Sequence, residues 1–129
     1  MKIIADTNTF IAVALNEPEK SRIIEHTNGH EIISPDVLPF EIANALTAMF
    51  KKMRLTKEEI IIAWELIQRI PVDLRHTNIK SALEIAIEYN IYAYDAIFLE
   101  CATSHRSPLL TLDIPLQRVA REIGIPIVE

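Results

Sequence analysis

The chain has 129 residues, 50% of them hydrophobic and 24% charged, with a net charge of 13 − 18 = −5. That is the size and composition of one folded domain (1–129) rather than a disordered chain, and the acidic balance excludes a surface that grips nucleic acid all over. Two glycines, Gly29 and Gly124, and one cysteine, Cys101, exclude a clustered-glycine phosphate loop, an intramolecular disulfide framework and a multi-cysteine zinc site.

Lys2–Ala5 reads as a strand, cut short by Asp6 before any secretory apolar core can form. The longest apolar run, Phe10 to Leu15, falls far below the ~18 residues that span a bilayer, so a cytoplasmic protein with no membrane association is expected. Thr9–Leu15 and Glu19–His26 read as helices separated by Pro18, and Glu31–Ser34 as a second strand closed by Pro35. From Val37 to Lys52 the stripe Leu38, Ile42, Ala45, Met49 recurs at helical spacing. Thr56 with Glu59 forms a capping box, predicting a helix from Lys57 that stops before Pro71. Val72–Leu74 is a third strand, and Asn78 caps a helix running to Tyr89. A further helix covers Tyr94 to Ser104. Leu109–Leu112 is a fourth strand, Pro115–Ile123 a helix capped by Gly124, and Ile125–Val128 a fifth strand. Strands separated by helices imply parallel pairing, and their unbroken apolar runs imply burial on both faces. The predicted fold is an α/β three-layer sandwich around a five-stranded parallel sheet.

Parallel sheets bind ligands beyond the carboxyl ends of their strands. Asp6 and Asp113 follow the first and fourth strands, while Glu41 and Asp95 lie in the first turns of helices that begin near the same edge. Singly, each reads as a cap, a turn residue or a complement to a helix dipole. Jointly they repel, since two carboxylates ~4 Å apart cost about 4 kcal/mol at an effective dielectric of 20. A divalent cation offsets that cost, and an all-oxygen donor set favours Mg²⁺ or Mn²⁺.

These residues resemble the motifs of PIN-domain ribonucleases. Ile3-Ile4-Ala5-Asp6-Thr7-Asn8 is similar to the opening motif and Glu41-Ile42-Ala43-Asn44-Ala45-Leu46 to the second. Tyr94-Asp95-Ala96-Ile97-Phe98-Leu99 is similar to the third and Leu110-Thr111-Leu112-Asp113 to the fourth. The order and spacing hold along the whole chain, and the size resembles the VapC-like toxin branch. The resemblance implies a Mg²⁺- or Mn²⁺-dependent endoribonuclease, with Asp6, Glu41, Asp95 and Asp113 as catalytic and metal-binding acids. Thr7, Asn8, Asn44 and Thr111 match supporting polar positions. It implies hydrolysis by a metal-activated water without use of the 2′-hydroxyl. It also implies an RNA substrate, a homodimer and a cognate antitoxin partner. One departure is that Ile114-Pro115 follows Asp113, where many members carry a basic residue.

Lys51, Lys52, Arg54 and Lys57 form the densest basic cluster, which reads either as helix C-terminal cations or as an RNA contact surface. The helix from Lys57 is apolar around more of its circumference than one core face needs, with Ile60 to Trp64, Leu66 and Ile67, as an interface would be. Two alternatives to a toxin nuclease are a housekeeping RNA-processing enzyme of the same family and a Mg²⁺-binding phosphoacceptor receiver domain. A receiver requires an acceptor Asp after its central strand and a Lys after its last. Here Asp73 lies inside the third strand and no such Lys is present.

Overall fold

The computed structural model describes residues 1–129. In chain order it contains β1 (Lys2–Ala5), α1 (Thr7–Ala14), α2 (Lys20–Thr27), β2 (Glu31–Pro35), α3 (Leu38–Lys51) and α4 (Lys57–Gln68). Then come β3 (Asp73–Arg75), α5 (Ile79–Tyr89), α6 (Ala93–Ser104), β4 (Leu109–Leu110) and α7 (Ile114–Ile123). The strands form a parallel sheet in the order β3-β2-β1-β4, with Ile3 opposite Ile32 and Ala5 opposite Leu110. The chain moves outward from β1 through β2 to β3, then returns to place β4 on the other side of β1. The reversal puts the topological switch point between β1 and β4, where a ligand crevice opens in such sheets.

Alternation along β1 explains the layering. Ile3 packs with Ala12 of α1 and Ile23 of α2, whereas Ile4 packs with Leu99 and Ala102 of α6 and Leu116 and Ala120 of α7. Successive side chains leave a strand on opposite faces, so both must be covered. Each fully buried isoleucine contributes about 2 kcal/mol from the apolar surface it removes from water. A further cluster joins Phe10 and Ile11 of α1 to Ile42 and Leu46 of α3 and Ala63 and Ile67 of α4. No helix is long and apolar enough to cross a membrane.

The sheet has four strands, not the five expected. Ile125–Val128 contributes only a single parallel bridge between Leu109 and Ile127. The cause is local. The Ile125 amide is taken by the carbonyl of Ala120 at the end of α7, and Pro126 has no amide hydrogen to offer. Only the Leu109 amide to the Pro126 carbonyl and the Val128 amide to the Leu109 carbonyl remain, both at 2.9 Å. β4 is likewise shorter than expected, because after Leu110 the chain turns to cap α7.

The predicted caps are present. Thr56 and Glu59 form a reciprocal capping box, Asn78 accepts from the Ser81 amide, and Gly124 closes α7 at a φ of 96°. The end of α3 is less expected. Met53 takes the left-handed position at a φ of 59°, with its amide on the Phe50 carbonyl and the Arg54 amide on the Met49 carbonyl, both at 2.9 Å. This is the Schellman pattern, which favours glycine at that position. Met53 is 92% exposed, so its side chain loses little packing if removed. Met53→Gly should therefore stabilise the fold by ~0.5–1 kcal/mol, as relief of backbone strain outweighs the chain entropy of glycine. Thermal melting should rise by a few degrees, and an unchanged or lower midpoint would show the turn to be unstrained.

Candidate active site

Asp6 leaves β1 at the switch point and caps α1. Its Oδ1 accepts from the Thr9 amide at 3.2 Å and the Thr9 hydroxyl at 2.8 Å, and its Oδ2 accepts from the Thr111 hydroxyl. The buried Ser34 hydroxyl donates to the Ala5 carbonyl at 2.6 Å, fixing the end of β1 to β2 beside it. Asp113 caps α7 by accepting from the Leu116 amide at 3.1 Å. Thr111 joins the two acids, because its hydroxyl also accepts from the Asp113 amide at 3.1 Å. Gln117 holds Thr111 in turn, donating to its carbonyl at 2.8 Å. Glu41 and Asp95 stand in the first turns of α3 and α6.

The four acids line one cleft of about 120 Å³, together with Thr7, Asn8, Asn44, Ala45, Phe98 and Leu116. Asp6 and Asp113 each cap a helix and also line the cleft. Four helix N-termini, those of α1, α3, α6 and α7, carry the acids. Their positive dipole ends lessen the mutual repulsion and favour a phosphate nearby.

Electrostatics show the convergence. Burial pushes the Asp6 carboxyl above its ordinary range, the hydrogen bonds from Thr111 and Thr9 pull it back, and the charge of Asp113 adds to the rise. Burial raises Glu41, with Asp95 adding to it, and burial raises Asp95, with Asp113 adding to it. Each of the four acids therefore senses, or is sensed by, another. Removing one should ease its neighbours.

The donor set suits a hard divalent ion. The carboxylates supply only oxygen, and the hydroxyl of Thr7, a buried residue that lines the cleft, has no hydrogen-bond partner. No three of the acids stand close enough together to hold a metal ion jointly. Mg²⁺ does not require three, since it takes one or two carboxylates and keeps several waters.

All eight residues expected at the site, except Thr111, line the cleft directly, and Thr111 holds two that do. Thr9 was missed, although a helix-capping Asp followed three residues later by Thr is a readable signal. Phe98 and Leu116, the apolar floor, look like any other core positions in sequence. Lys52 and Arg54 border an adjoining hollow, while Lys51 lies outside it. Cys101 is buried in the core with its thiol pushed up to about 12 by burial, which leaves it unreactive. Asp73 sits on the edge strand in an exposed pair with Arg75 at 2.6 Å, far from a receiver's central acceptor position.

An α/β parallel sheet with a carboxylate-lined cleft at its switch point defines the class. Residues 3–122 match the PIN domain family, and the chain belongs to it. Ribonuclease VapC3 of Pyrobaculum aerophilum is 26% identical over 119 residues, which are 88% of this chain and 90% of that protein. The crystal structure of PAE2754 from Pyrobaculum aerophilum superposes with a TM-score of 0.74 at 19% identity, covering 99% of this chain and 84% of that one. That of VapBC2 from Rickettsia felis, bound to a DNA fragment from their promoter, superposes at 0.70 and 15% identity, covering 100% and 98%. The two structures share the fold with this chain.

Proposed function

We propose that residues 1–129 act as one endoribonuclease domain, the toxin of a toxin–antitoxin pair, with Mg²⁺ or Mn²⁺ and its waters bound in the cleft that Asp6, Glu41, Asp95 and Asp113 line, one or two of these acids ligating the ion directly and the others acting through its waters. The observation that carries this reading is the convergence of four mutually repelling carboxylates and an orphaned buried hydroxyl in one cleft at the switch point. Family membership and the likeness to ribonuclease VapC3 support it. The antitoxin partner rests on that relative and on the fold shared with VapBC2, and the cytoplasm is the compartment in which such a pair meets its RNA.

A bound divalent ion lowers the pKa of water and offsets charge on phosphate oxygens. The protein's own residues divide the remaining work. Asp6 is locked from both sides by Thr9 and Thr111, so its geometry is fixed before substrate arrives. Asp113 has one oxygen committed to the Leu116 amide. Asp95 carries no such commitment, which leaves its carboxylate free to take a proton from water. Water adds to phosphorus, the bond from phosphorus to the 3′-oxygen breaks, and the products are a 3′-hydroxyl and a 5′-phosphate. Asn44 and Thr7 line the space the phosphate would occupy and orient it.

The test is incubation of single-stranded RNA with Mg²⁺ or Mn²⁺ and analysis of the new ends. Fragments with 5′-phosphates that vanish in EDTA are expected. Cyclic 2′,3′-phosphate ends, or undiminished cleavage in EDTA, would refute the mechanism.

The protein is also proposed to be a homodimer. Ala63 and Ile67 of α4 are buried and Trp64 is half-buried, but Ile61, Ile62 and Leu66 are exposed. Sedimentation at micromolar concentration should give twice the 14.7 kDa chain mass. Ile62→Glu should return it to the single-chain value without loss of helicity, and a monomeric wild type would overturn the dimer.

A further inference from the structure

A second hollow, of about 400 Å³, adjoins the carboxylate cleft, and Asn8 and Ala45 line both. Its charged lining residues are Lys52, Arg54 and Glu17. Two cations against one carboxylate leave it net positive, in contrast with the adjoining cleft, whose charged residues are all acidic. None of the ion pairs in the structure engages Lys52 or Arg54. Favourable charge at the negative end of α3 accounts for cations there. It does not account for a hollow with two cations on its lining that shares Asn8 and Ala45 with the acid cleft.

The local backbone contributes as well. The Schellman turn that puts Met53 at positive φ ends α3 and turns the chain back, and Arg54 after it lines the same hollow as Lys52 before it. Between Ala45 and Lys52, α3 rises about 10 Å at 1.5 Å per residue. At ~3.4 Å per stacked nucleotide, that distance spans about three nucleotides of one strand. A polyanion entering an acidic cleft on a chain of net charge −5 needs cations close by to hold it.

We propose that this hollow is a backbone-phosphate subsite for single-stranded RNA, in which Lys52 and Arg54 hold a stretch of strand a few nucleotides from the phosphate in the carboxylate cleft. It rests on the ribonuclease reading for its ligand and adds a direction: the strand runs along α3, from Glu41 toward Lys52. Lys51, outside the hollow, takes no equivalent part. Glu17 opposes the strand.

The experiment is fluorescence anisotropy of a labelled single-stranded RNA with the full chain in EDTA, repeated over a range of salt concentrations. Lys52→Gln with Arg54→Gln should weaken binding about tenfold at low salt. The double variant should also lower the slope of log K against log salt by about 1.4, two contacts at ~0.7 each. Glu17→Gln should tighten binding two- to threefold by removal of a like charge. Wild-type affinity and slope in the double variant would overturn the subsite, and so would an equal loss in Lys51→Gln, which would indicate a diffuse basic patch. Absence of RNA binding by the wild type would overturn it as well. The two readings separate in a parallel Mn²⁺ cleavage assay. Cation-dependent binding without cleavage keeps the subsite and removes the nuclease. Cleavage with an unaltered KM in the double variant keeps the nuclease and removes the subsite.

Discussion

RNA cleavage should fall about 10³-fold or more in both Asp6→Asn and Asp95→Asn, with circular dichroism unchanged. The size follows from the several kcal/mol of charge stabilisation that a correctly held divalent ion supplies, at 1.36 kcal/mol per factor of ten. Neither substitution should harm the fold. In Asp6→Asn the amide oxygen can still accept from Thr9, and its NH₂ can donate to the Thr111 hydroxyl, which is free to rotate. The variant also removes a charge that is 94% buried, so metal-free stability should hold or rise. Asp95 is tied by no comparable set of bonds, and its replacement removes charge from a site where burial and Asp113 already disfavour it. Cleavage at wild-type rate in either variant would take that acid out of the chemistry. Loss of helicity together with activity would place its role in folding.

Melting in saturating Mn²⁺ should exceed melting in EDTA by about 10 °C. An ion at 100 times its dissociation constant stabilises the folded state by about 2.7 kcal/mol, and a domain of this length gains roughly 4 °C per kcal/mol. Asp113→Asn should raise the metal-free midpoint and shrink the gain from Mn²⁺. The structure makes this substitution informative, because asparagine is as good a helix cap as aspartate and keeps the bond to the Leu116 amide. What it removes is the charge that raises Asp6 and Asp95. A fall in the metal-free midpoint would mean that the charge of Asp113 serves α7 more than it burdens its neighbours. Acidification acts in the same sense as neutralisation. Carboxyls whose pKa rises on folding bind protons more tightly in the folded state, so Asp6, Glu41 and Asp95 favour folding at low pH. That contribution is lost as pH rises through their raised values.

The sequence allowed the α/β class and the candidate site to be read for different reasons. Helices stood out where a cap and an apolar period agreed, as at Thr56 with Glu59 ahead of Ile60, or Asn78 ahead of Ala82. Strand ends were harder to see. Leu109–Leu112 and Ile125–Val128 have the right composition, but pairing depends on which amides are left free, and the cap of α7 and Pro126 consume or remove them. The acids were legible because strand ends and helix starts share one edge in a parallel sheet, so position in the element order stands in for position in space. Burial of Thr7 without a partner, the bridge from Thr111 to both Asp6 and Asp113, and the hollow beside Lys52 depend on side chains far apart in the chain. No local pattern encodes them.

The most direct measurement is a calorimetric titration of Mn²⁺ into the metal-free wild type and into Asp6→Asn and Asp95→Asn. The carboxylate cleft predicts saturable binding by the wild type, with affinity at least tenfold weaker in each variant. Equal affinities in all three proteins, or no saturable binding by the wild type, would contradict it.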